Sequence, residues 1–197
     1  MFQRAITVIL LLLVVNPWMA GGPLKHRAKP AGEALKAAFV RLKAMPNDRA
    51  TQTRYLKAFP HDYRNFLALF GAGGYLADGY QCDYVFALSP LQDHHSTKVG
   101  RLLVQLSKDA EYQADAPSCL HHVLADYGGR FTKSFAGFLN ELSAKERDQV
   151  ITFLADSEAD PFPEYQRIIR NLKQLNEPEL VKKFQQAQAG RMRQPHG

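Results

Sequence analysis

The stretch Phe131–Leu154, FTKSFAGFLNELSAKERDQVITFL, decides the fold class. Phe131, Phe135, Phe138, Leu139 and Leu142 recur at three and four residues, the period of one helix face. Ser143-Ala-Lys-Glu146 then has the spacing of a capping box, in which the hydroxyl accepts from the amide three residues on and the carboxylate reaches back. Val150, Ile151, Phe153 and Leu154 give the following helix its apolar face. Two amphipathic helices therefore follow one another with almost no connection between them.

The same punctuation extends both ways. Upstream, Asp115 caps a helix with Pro117 in its first turn, Leu120, Val123 and Leu124 inside, and Gly128-Gly129 as its expected end. Ser96–Ser107 carries Val99, Leu102, Leu103 and Leu106, and Asp78–Leu88 is helical up to Ser89-Pro90. Downstream of an acidic loop, Asp156–Phe162, come Glu164–Leu175 and Glu177–Gln188, the last opened by Asn176, Pro178 and Glu179. In the first half, Glu33–Met45 shows a stripe of Leu35, Ala38, Phe39 and Leu42 ended by Pro46-Asn47, and Arg49–Ala58 follows. Pro60 opens a helix with Tyr63, Phe66, Leu67 and Phe70, closed by Gly71. Nine of the 21 aromatic residues lie between Tyr55 and Phe86 and read as core. No strand pattern and no fixed-period repeat appears. The expectation is an all-α single domain over residues 33–189, an irregular multi-helix bundle or a short helical stack of eight to nine helices.

The ends are different. Ala5–Val15, AITVILLLLVV, follows Arg4 and is broken by Asn16-Pro17. It is too short for a span, which takes about 20 apolar residues. It suits the apolar region of a secretory signal, about 7–15 residues long. Residues 1–20 are therefore read as a signal peptide, with an uncleaved inner-membrane anchor over 5–20 as the alternative. Residues 21–32 read as a basic flexible tether and residues 190–197 as a disordered basic tail. The net charge of +6 belongs to these ends: within residues 31–180, 17 Lys/Arg face 19 Asp/Glu. With no basic face interleaved with aromatics, nucleic acid is not an expected partner. Membrane contact is expected only through the N-terminal segment or the basic ends.

One resemblance accompanies this pattern. Ala58–Gly71, AFPHDYRNFLALFG, with Ala114-Asp115, Leu142-Ser-Ala-Lys-Glu146 and Phe153-Leu-Ala-Asp156, resembles a family of small exported helical bacterial proteins with no assigned activity. The resemblance spans about residues 50–185 and implies export and a single helical domain. It carries no catalytic residue with it.

Candidate chemistry is sparse. Cys82 and Cys119 are the only cysteines, and an oxidising compartment would join them in a disulfide. Separate buried thiols are the alternative. Asp93, His94 and His95 on one side and His121, His122 and Asp126 on the other form the weak candidates for a metal site. Neighbouring histidines diverge by about 100° on a helix, so one member of each pair would have to converge with a carboxylate. No HExxH or HxxxH spacing places two ligands on one face. Asp156, Glu158, Asp160 and Glu164 lack the glycine and bidentate glutamate of an EF-hand. The Gly71–Gly74 cluster has neither the preceding strand nor the lysine of a phosphate loop and reads as a flexible connector. No nucleophile context and no cofactor signature is present. The expected function is that of an exported, non-catalytic binding protein with a protein partner, one form being an immunity-type inhibitor of a toxin. The alternative is a metal-dependent hydrolase using the paired histidines.

Overall fold

A computed structural model describes residues 22–77, 81–111, 116–156 and 163–192. The expected signal segment, Asp115, Glu158 and Asp160 lie outside these residues. Among those described, every regular element is a helix: α1 (Gly22–Ala44), α2 (Arg49–Ala58), α3 (Tyr63–Phe70), α4 (Gln81–Phe86), α5 (Gln92–Ser107), α6 (Ala116–Arg130), α7 (Thr132–Glu141), α8 (Ala144–Ala155), α9 (Pro163–Gln174) and α10 (Pro178–Met192). The all-α expectation holds, with ten helices where eight to nine were expected.

The architecture is a bundle wrapped around one central helix. Helix α6 packs against α4, α5, α7, α8 and α9. It is buried on nearly all sides, from Ala116 and Leu120 to Tyr127 and Gly129. Its polar residues Ser118, His122, Asp126 and Arg130 recur every four residues as one narrow stripe, the only side left partly exposed, and the remaining small and apolar faces are free to be buried. Helices α1, α2 and α3 meet at one side around an aromatic cluster. Phe39 lies 4.4 Å from Tyr84, Phe59 lies 5.8 Å from Phe70, and the buried Tyr55 hydroxyl donates to the Tyr84 carbonyl at 2.5 Å. The opposite side is closed by α8, α9 and α10, where Tyr165 packs on Phe184 and donates to its carbonyl at 2.6 Å.

Several starts follow the sequence signals. Asp48 caps α2 by accepting from the Thr51 amide at 2.7 Å. Asp62 caps α3 by accepting from Asn65, so that helix begins at Tyr63 and not at Pro60. Ser143 and Glu146 form the full capping box of α8.

Other expectations are corrected by packing. Residues 21–32 were expected as a tether, yet α1 runs unbroken from Gly22 with Pro30 inside it. Tertiary contact outweighs the poor propensity of proline here. Ala28 is buried, the Tyr75 hydroxyl donates to Glu33, and the Tyr75 ring lies so close over Gly32 that a Cβ there would be 2.2 Å away. The Gly71–Gly74 segment is a closed turn and not a loose connector. The Gly74, Tyr75 and Leu76 amides donate to Gly71, Ala68 and Leu69, and Gly73 takes a φ of +70°. Helix α10 continues through Gly190 to Met192, three residues into the expected tail, and Arg191 reaches Asp156 at 4.0 Å. Helix α5 begins at Gln92, before the expected Ser96, with a kink at His95 (φ −132°, ψ 32°).

Gly128-Gly129 was expected to end α6, but the helix passes through to Arg130. These glycines instead let α9 approach: a Cβ on Gly128 would lie 2.8 Å from Ile168 Cδ1, and one on Gly129 would lie 3.0 Å from Arg167 Cδ. The terminal carbonyls are satisfied by side chains. Thr132 donates to the Gly128 carbonyl at 2.7 Å and Asn171 donates to that of Gly129 at 3.0 Å.

Cys82 of α4 and Cys119 of α6 are at disulfide-bonding distance, with Cα atoms 5.6 Å apart. The link joins the short α4 to the central helix.

Candidate functional site

The six weak metal candidates do not gather around one point. Asp93 and Asp126 converge on one cation, Arg130, at 2.5 and 3.5 Å. Asp93 thereby ties the start of α5 to the end of α6, while Asp126 pairs with Arg130 one turn away on α6 itself. His95 stands at the α5 kink with Nε2 3.1 Å from the Gln52 side-chain oxygen. Gln52 is itself buried and donates to the Pro46 carbonyl at 2.7 Å. Burial, together with the nearby cations Lys98 and Arg49, holds His95 below the ordinary histidine range. His94 is its chain neighbour on the exposed side.

His121 lies in the core between α6 and α8, its ring edge-on to Phe153 and to His122. Nε2 is 3.0 Å from the Leu154 carbonyl, one of the α8 C-terminal carbonyls with no partner in its own helix. Burial pushes His121 down to about 4, against the opposing pull of that carbonyl. The ring is therefore neutral at pH 7 and donates to Leu154. Among the described residues, no three His, Cys, Asp or Glu side chains gather around one ion position.

A different feature has the form of a binding site. Three helices each turn one face toward a common cleft of about 590 Å³. From α2 come Thr53, Leu56 and Lys57; from α5, Lys98, Arg101, Leu102 and Gln105; from α7, Phe138 and Glu141, with Leu142 just beyond. Within each helix the spacings are three and four residues, so each wall is one helical ridge. Leu56, Leu102 and Phe138 form the apolar floor and are 6%, 6% and 8% exposed, the small remainder of three otherwise core side chains. The rim is polar and mainly cationic: Lys57, His61, Lys98 and Arg101.

Arg101 is already committed. Its guanidinium makes a two-pronged pair with Glu141, at 2.5 and 3.0 Å, and lies 4.7 Å above the Phe138 ring centre. The pair fixes the α5 and α7 walls relative to one another. Lys57 and Lys98 are exposed and have no carboxylate partner among the described residues.

The sequence reading placed Leu102, Phe138 and Leu142 correctly on apolar stripes but missed the cleft. Nothing local marks it, since Lys57, Lys98 and Glu141 are the ordinary polar faces of three helices. An apolar floor flanked by cations is suited to holding an amphipathic partner. No protein-family model, curated protein or solved structure matches this chain.

Proposed function

We propose that this chain is an exported, non-catalytic helical binding protein that takes a protein partner in the α2–α5–α7 cleft. The observation that carries this is the cleft itself: an apolar floor at Leu56, Leu102 and Phe138 with cations around its mouth. An immunity-type inhibitor, which masks a toxin by surface complementarity, is one form of this function. Export rests on the Ala5–Val15 run after Arg4 and on the two cysteines, with the periplasm or the exterior as destination. No described helix is long and apolar enough to cross a membrane.

The test is a photo-crosslinking amino acid at Gln105, an exposed cleft position, compared with one at Lys173 on α9. In the cell envelope of the native host, the cleft probe is expected to yield a discrete adduct with a protein and the α9 probe none. Absence of an adduct at Gln105, or the same adduct at both positions, would remove the cleft as the partner site.

A further inference from the structure

We infer that the segment held in this cleft is an acidic amphipathic helix of the partner protein, an inference that rests on the cleft reading above. The geometry has three parts. The floor of Leu56, Leu102 and Phe138 runs between helical ridges, the setting into which an added helix packs its own ridge of side chains at i, i+3, i+4 and i+7. The unpaired ammonium groups, Lys57 and Lys98, stand on two different walls, one on α2 and one on α5. The rim's carboxylate, Glu141, is neutralised by Arg101, so the field at the mouth is net positive.

A single-headed amphiphile places one charge at one end of an apolar tail and would use one wall. Cations on two walls flanking an apolar floor match a ligand with carboxylates along both flanks of an apolar stripe. That is the pattern of a helix with Leu-type residues on one face and Asp or Glu beside them. Such charge matching sets partner choice and encounter rate, and it weakens as salt screens it.

The probe is a fluorescein-labelled helical peptide with Leu at i, i+3, i+4 and i+7 and Glu at the flanking positions, alongside its twin with Lys in place of Glu. Fluorescence anisotropy with the full chain is expected to show binding of the Glu peptide only. That binding should weaken with added salt and fall about tenfold or more in Lys57→Glu/Lys98→Glu. Both lysines are exposed, so the variant should keep the parent's circular dichroism spectrum and a cooperative melt, with only a small drop in melting temperature because Lys57 lies in the last turn of α2. The same double variant should abolish the Gln105 adduct. Equal binding of the two peptides, or an adduct that persists undiminished in the double variant, would overturn the acidic-helix inference while leaving the cleft reading intact. Loss of the Gln105 adduct from the unmodified chain overturns the reading itself. Sedimentation with phosphatidylglycerol vesicles but not phosphatidylcholine vesicles, without peptide binding, would replace the partner helix by an anionic membrane surface.

Discussion

The Tyr127 ring of α6 lies directly against the backbone of Gly100 on α5, so close that a Cβ on Gly100 would be 2.2 Å from both its Cζ and its Oη. The glycine is used here for close approach: its missing side chain is the space that the tyrosine occupies. Gly100→Ala should destabilise the fold by about 1–3 kcal/mol through overpacking. The loss should shrink in a Tyr127→Leu background, a coupling that a double-mutant cycle in denaturant would measure. Equal losses in both backgrounds would show that the contact is not the cause.

His121 gives the fold an acid sensitivity whose sign can be worked out. Its pKa is about 4 in the folded chain against an ordinary 6.5. Between these values the unfolded chain binds a proton that the folded chain does not. Stability is therefore full above pH 6.5 and declines as pH falls toward 4, by about 3 kcal/mol in all. Denaturation midpoints across that range should follow this slope, and His121→Gln should flatten it. Glu146, held down at about 2 by Ser143 and Lys108, acts in a lower window: its contribution is present above 4.5 and is lost as pH falls through 2.

Ser143→Ala removes the α8 cap. The hydroxyl accepts from the Glu146 amide at 3.3 Å, and the Glu146 carboxylate accepts from the Ser143 amide at 3.1 Å. The expected loss is about 1 kcal/mol, read as a lower denaturation midpoint. Binding of the Glu peptide should be unchanged, because α8 does not line the cleft.

Cys82 and Cys119 close a loop of 37 residues. Titration of the unreduced, denatured protein should find no free thiol. Reduction should lower stability by about 3–4 kcal/mol in the chain-entropy account. Two titratable thiols in envelope-derived protein would show that the pair is not oxidised in its compartment.

Export predicts a mature N-terminus near Gly21, measurable by mass spectrometry of the protein from its own host. Recovery of intact residues 1–20 in the membrane fraction would show that the Ala5–Val15 run acts as an anchor.

What the sequence by itself determined is local. Apolar side chains at three and four residues, the Ser143/Glu146 box and the Asp48 cap act within one or two turns, so the helices and most of their inward faces could be read directly. Pairing of the two cysteines could be posed, though not their separation. Tertiary structure decided whatever depends on a distant partner. Gly32 remains helical with the Tyr75 ring, from far along the chain, packed against it, and the exposed Pro30 lies within the same unbroken helix. Gly128 and Gly129 admit α9 where local rules read a helix end, and Thr132 and Asn171 supply the hydrogen bonds of the missing cap. Asp93 and Asp126 became partners of Arg130 near the surface, and one histidine of each pair found a partner, His95 at Gln52 and His121 at Leu154, the buried His121 because burying a polar group without a partner costs more than any local preference returns. The cleft belongs wholly to this second class: Leu56, Leu102 and Phe138 share a floor only because α2, α5 and α7 are brought together by packing that no single segment encodes.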